Sequence, residues 1–163
     1  MAISIKELRV NNIVLAHDAI SMRRCIIKGI HDDIIEVECL DIQTAKMVRD
    51  EVPVSKLEPV LLMESTLYAL GFRKIDSIYG SPINTCYVLR RGKHNDVFVV
   101  KTNQWHLFIP SDNGSIIDKQ ELYLHTLQNI LSHNKEVADE VNYDKFVELT
   151  SPYCVLPFDP KEE

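Results

Sequence analysis

Apolar and polar residues alternate with a period of two along the first third of the chain. In Ile34 to Leu40, Ile35, Val37 and Cys39 fall on one side and Glu36 and Glu38 on the other, as in a strand with one wet face. Comparable runs at Ile13 to Ala16, Arg23 to Ile30 and Thr44 to Arg49 predict neighbouring strands, with His31-Asp32-Asp33 as the turn between the middle two. Connections this short allow only antiparallel hairpins. Four or five strands within about 55 residues predict a small closed barrel, because an open sheet of that size leaves its edges exposed. Ahead of them, Ser4-Ile5-Lys6-Glu7 has the spacing of a capping box and predicts a helical turn. The following Asn11-Asn12 suits a bend, since Asn tolerates left-handed backbone angles.

The pattern changes after Val52 to Pro59, which predicts a boundary near residue 60. A short helix over Met63 to Leu70 is stopped by Gly71, with Phe72 placed to fold back onto it. Strands are predicted at Cys86 to Arg90, Val97 to Lys101 and Gln104 to Ile109, and the start of the loop Asp76 to Asn84 as a further one. Asp118-Lys119-Gln120-Glu121 reads as a second capping signal. The helix after it carries Tyr123, Leu127, Ile130 and Leu131 as an apolar stripe expected to cover the meander. The expected fold class is therefore α+β: an N-terminal SH3-like small β-barrel (residues 1–60), a helix, antiparallel β-meander and C-terminal helix (61–137), and an acidic Pro-rich tail (138–163).

Composition adds limits. Apolar residues make up 45% and charged residues 26%, as in an ordinary globular chain. No apolar run reaches the roughly 20 residues of a membrane helix, and the start lacks the pattern of a signal peptide, so a cytoplasmic protein with no membrane partner is expected. Cys25, Cys39, Cys86 and Cys154 are far apart in sequence, each in apolar surroundings, and are expected to be buried reduced thiols. The net charge is −6, but Arg73 to Lys101 carries six Lys/Arg against two acids, while Asn134 to Glu163 carries three Lys against eight acids. That balance argues against a dedicated nucleic-acid binder.

Three stretches carry a resemblance. Leu8-Arg9-Val10-Asn11-Asn12-Ile13-Val14, Leu70-Gly71-Phe72 and Tyr123-Leu124-His125-Thr126-Leu127-Gln128-Asn129 are similar to motifs of a family of small uncharacterised proteins of Bacteroidetes bacteria, their phages and prophages. Asn11 stands where that family has Gly, Met63 where it has a Thr cap, and the tail from about Asn142 is an addition. The resemblance implies a phage or mobile-element setting and no particular activity.

Candidate chemistry is sparse. His125, Gln128, Asn129 and Ser132 share a helix face able to hydrogen-bond a ligand or a partner backbone; the favoured reading is that His125 and Asn129 fasten the helix to the meander or the barrel by satisfying buried backbone groups. Arg90, Arg91, Lys93 and His94 form a basic hairpin that, with Tyr87 and Trp105 near it, would suit single-stranded nucleic acid. Tyr153, Val155, Leu156 and Phe158 lie among three prolines, as an extended arm able to dock on a partner. His17-Asp18 and His31-Asp32-Asp33 lack the convergence a metal site requires, and the five glycines are scattered singly rather than grouped to cradle phosphate. No cofactor and no catalytic motif is read. The expected function is that of a non-enzymatic phage or mobile-element accessory or structural protein. It would act through contacts with phage or host proteins, in the bacterial host cytoplasm or incorporated in a virion. A nucleic-acid-binding regulator and a small-ligand-binding antagonist of host defence are the alternatives.

Overall fold

A computed structural model describes residues 3–17, 22–41, 44, 46–75, 85–90, 96–109, 115–119 and 121–132. The fold is α+β, mostly antiparallel strand, and divides into two compact units. The described residues through Leu61 pack with those from Tyr123 onward, and Leu62–Leu122 form the second unit. No helix among the described residues is long and apolar enough to cross a membrane.

The first unit opens with a 3-10 turn, Ile5–Glu7, whose Ser4 makes no side-chain cap bond despite the capping-box spacing. Strands β1 (Ile13–His17), β2 (Met22–His31), β3 (Ile34–Asp41), β4 (Lys46–Pro53) and β5 (Leu57–Pro59) follow, with a 3-10 turn at Val54–Lys56 between the last two. They form one antiparallel sheet in the order β4-β3-β2-β1-β5, and among the described residues no pairing joins β4 to β5. The alternation read from sequence places Val14, Ala16, Cys25, Ile27, Ile35, Val37, Cys39, Val52 and Leu57 in one buried cluster, joined by Ile3 and Leu8 from the opening segment. The opposite face carries a charged ladder: Arg49 reaches Glu36 at 2.8 Å and Glu38 at 3.2 Å, and Lys28 lies 3.8 Å from Glu38.

In the first unit, the described non-glycine residues with left-handed backbone are of types suited to it. Asn11 has φ 72° and Asp32, in the β2–β3 turn, has φ 55°. The β2–β3 register shifts between Ile27 and Gly29, a bulge at which a Cβ on Gly29 would lie 3.0 Å from Glu36 Oε2 and from His31 Nε2. Cys25 and Cys39 face each other across the same pair of strands, their Cα atoms 4.3 Å apart, and form a disulfide within the core. This corrects the expectation of reduced thiols for these two. Each cysteine looks isolated along the chain, but the pairing register brings them to one rung. Cys86 is a free, buried thiol whose pKa burial pushes up, and Cys154 lies outside the described residues.

The second unit is a five-stranded meander, order β10-β9-β8-β7-β6, built from β6 (Arg73–Ile75), β7 (Thr85–Leu89), β8 (Val97–Lys101), β9 (Trp105–Ile109) and β10 (Ser115–Lys119). Helix α1 (Glu64–Ala69) precedes it. The helix ends as the Leu-Gly-Phe sequence predicts. Gly71 N–H donates to Tyr68 C=O, Phe72 N–H donates to Leu67 C=O at 3.0 Å, and Gly71 has φ 99°. This paired arrangement satisfies two terminal carbonyls and returns Phe72, which is fully buried, toward the helix. Tyr68 packs edge-on against Tyr87 of β7, while Glu64 accepts from the Tyr68 hydroxyl and lies 3.7 Å from Lys74 of β6, so α1 is fastened to the same face of the sheet.

Two strands escaped the sequence reading. β6 lies just before the loop in which a further strand was expected, and β10 runs through Asp118 and Lys119, which had suggested a helix cap. The helix itself, α2 (Leu124–Leu131), starts later and is grouped with the first unit rather than with the meander's unit as expected. An apolar stripe states that a helix is covered without stating by what, and the polar residues beside it decide the partner. The expected tail, 138–163, lies outside the described residues.

Candidate functional site

The polar face of α2 is the constellation that the sequence singles out. The chain re-enters the first unit through a bridge between Leu61 and Tyr123, and Leu124 N–H donates to Val60 C=O at 2.9 Å. From there the 3.6-residue period turns Leu124 and Leu127 fully inward and sets His125, Gln128, Asn129 and Ser132 along an adjoining face.

Gln128 has both ends of its amide engaged. Its Oε1 accepts from Ile13 N–H at 2.9 Å and its Nε2 donates to Asn11 C=O at 3.1 Å, both buried bonds. Asn129 Oδ1 accepts from Asn12 Nδ2 at 2.8 Å, and its Nδ2 donates to Glu7 C=O at 2.8 Å. Asn12, fully buried, completes the group by accepting from Arg9 N–H through Oδ1 at 2.8 Å. Ser132 Oγ turns back to Asn129 C=O at 3.0 Å. The left-handed bend at Asn11 leaves backbone groups that the β1–β2 pairing does not reach, and the two amides of α2 fill that need. Gln128 and Asn129 therefore clamp the bend; of the two residues expected to fasten the helix, Asn129 bonds a backbone carbonyl, whereas neither ring nitrogen of His125 makes a hydrogen bond and Gln128 makes the buried backbone bonds instead. Asn12 was not singled out beforehand. Its signal was the pairing of two consecutive Asn ahead of an apolar strand, with one required by backbone geometry and the other left to reach the helix.

His125 differs from its neighbours. It is 1% exposed, and neither ring nitrogen has a hydrogen-bond partner. Its ring stacks on Tyr123, planes 9° apart and centroids separated by 6.0 Å, and Glu7 Oε2 stands 4.0 Å from Nε2, beyond bonding distance. Burial lowers the imidazole pKa, opposed in part by the Glu7 carboxylate.

Of the basic hairpin, Arg90 is described and holds Asp96 at 2.7 Å; Arg91, Lys93 and His94 lie outside the described residues. Trp105, named as a stacking platform, is buried, with Lys101 Nζ 4.6 Å from its ring centroid. Tyr87 is buried too, and its phenol pKa is raised by desolvation and by Glu64. Neither ring is presented to a base. Tyr153, Val155, Leu156 and Phe158 are outside the described residues. His17 and His31 lie 3.6 Å from Glu58 and Glu36, respectively, and among the described residues no group of three His, Cys, Asp or Glu is placed to hold a metal.

A surface feature went unread. On β8 and β9 the cross-strand pair Phe98 and Phe108 meets with centroids 6.2 Å apart, and Phe108 is 38% exposed. The alternation of Phe98 and Val100 with the buried Val97 and Val99 marked this second face in the sequence. Compared with protein-family models, curated proteins and solved structures, the chain matches none.

Proposed function

We propose that this chain is a non-enzymatic interaction protein that works by docking another protein on the sheet of its second unit. The observation that carries the reading is the Phe98–Phe108 pair, an aromatic cross-strand contact with Phe108 open to solvent. Aromatic side chains held rigid on a sheet supply large apolar contact area at small entropic cost, which is why they are enriched at the cores of protein interfaces. The polar face of α2 supports the same reading from the other direction, since Gln128 and Asn129 are occupied in holding the fold.

What supports an SH3-like barrel is the sheet of the first unit, a four-stranded meander β1–β4 followed, after a 3-10 turn at Val54–Lys56, by a fifth strand that returns beside β1. Small barrels expose strand edges and loops suited to docking. The resemblance of Leu8 to Val14, Leu70 to Phe72 and Tyr123 to Asn129 supports a phage or mobile-element accessory or structural role, with a phage or host protein as partner.

The test is co-purification of the intact chain from a bacterial host, wild type against Phe108→Glu, with thermal melting of both. The proposal expects the charged variant to lose a specific protein partner at unchanged melting temperature. An identical set of partners for both proteins refutes it.

A further inference from the structure

A buried histidine with two idle nitrogens has a cost that changes with pH, and its position decides what the cost acts on. α2 meets Glu7 at two points, one bonded and one not. Asn129 holds its backbone carbonyl, while the ring of His125 sits 4.0 Å from its carboxylate. The neutral ring presents one N–H and one lone pair to this site; the protonated ring presents two N–H groups and a full charge. Among the described residues the site offers one acceptor of suitable charge, Glu7, on a largely exposed side chain that would have to close a 4.0 Å gap. The other N–H would be left buried with a charge behind it, and such a group costs more than a neutral unpaired one.

Among the described residues, Glu7 is the charged group within ion-pair distance of the ring. α2 holds no charged residue besides His125, and β1 contributes only His17, which lies beside Glu58. Of the 3-10 turn's Lys6 and Glu7, Glu7 is the one within ion-pair distance. Tyr123 covers one face of the ring with its own.

We propose that the contact between α2 and the 3-10 turn Ile5–Glu7 is an acid-sensitive latch, held while the His125 ring is neutral and released when it takes up a second proton. The direction follows from linkage. Burial favours the neutral ring in the folded state, so the unfolded chain binds more protons as the pH falls below the ordinary histidine value of about 6.5. The stability contributed by the neutral ring is complete above that value and is lost progressively below it. The lowered imidazole pKa agrees with this sign.

The experiment is urea denaturation of the full chain at pH 7.5 and at pH 5.5, wild type against His125→Phe, which keeps an aromatic ring beside Tyr123. The expected result is a drop in urea midpoint on acidification that is clearly larger in the wild type than in the variant. Equal drops overturn the proposal. Should His125→Phe fail to fold, an NMR titration of the His125 ring in the wild-type chain decides: a ring that stays neutral below pH 6.5, with exchange of the α2 amides rising as it finally titrates, supports the latch. A ring that titrates at about 6.5 with α2 still protected overturns it.

Discussion

Replacing Gln128 with leucine removes one amide and keeps the volume of the side chain. The amide serves two buried backbone groups, the N–H of Ile13 at 2.9 Å and the carbonyl of Asn11 at 3.1 Å, and its side chain is shielded from water. Leucine fills the space without offering a donor or an acceptor, so both backbone groups are left unpaired. Each such loss costs about 1–3 kcal/mol. With partial relief from relaxation around the bend, the expected destabilisation is about 3 kcal/mol, or roughly 6–12 °C in melting temperature for a chain of this size. Urea denaturation followed by far-UV circular dichroism measures it, and the slope of the transition should not change, because the same surface is exposed on unfolding. Hydrogen exchange at Ile13 gives a local readout: its amide should lose protection well before those of β2 and β3. Asn129→Ala is the comparison. One of its bonds is exposed and the other only partly buried, and it should cost about 1 kcal/mol. A Gln128→Leu protein that loses less than about 0.5 kcal/mol, or no more than Asn129→Ala, would refute the clamp.

Other outcomes follow from single contacts. Gly71→Ala should destabilise the second unit by at least about 1 kcal/mol, because φ 99° is strained for any L side chain and the new Cβ would meet Leu89 at 3.3 Å; thermal melting measures it. Reducing the Cys25–Cys39 disulfide, which spans 14 positions, should cost about 3 kcal/mol by the loop-closure relation. A urea midpoint that falls in dithiothreitol shows it, and a midpoint indifferent to the reductant refutes it. Arg49→Ala on the charged ladder should change stability by no more than about 1 kcal/mol, with the difference shrinking in high salt, since its guanidinium is largely exposed.

Local chemistry was legible wherever one residue type answers one backbone need. Asn11 and Asp32 at left-handed bends, Gly71 behind a short helix, and the alternation of Ile35, Val37 and Cys39 against Glu36 and Glu38 all carry their structure in their spacing. What stayed hidden depends on register. Cys25 and Cys39 are separated by 14 residues in sequence and meet only because β2 and β3 pair rung for rung. β6 is three residues long and β10 begins and ends in polar residues, so neither shows enough period to stand out from a loop. The grouping of α2 with the first unit is not written in its apolar stripe, Tyr123, Leu127, Ile130 and Leu131, which is generic. Gln128 and Asn129 held the answer, but their partners are the Asn11 and Glu7 carbonyls, Ile13 N–H and the Asn12 side chain, more than 110 residues away in sequence. Three of these four partners are main-chain groups that no side-chain pattern announces.

The central claim is that the sheet of the second unit is where a partner docks. A photoreactive benzoylphenylalanine placed at Phe108 tests it in the host cell, with the same group at the exposed Lys56 of the first unit as control. The account predicts a discrete protein adduct from the Phe108 position and none of that mass from the Lys56 position. No adduct at Phe108, or the same adducts from both positions, would contradict it.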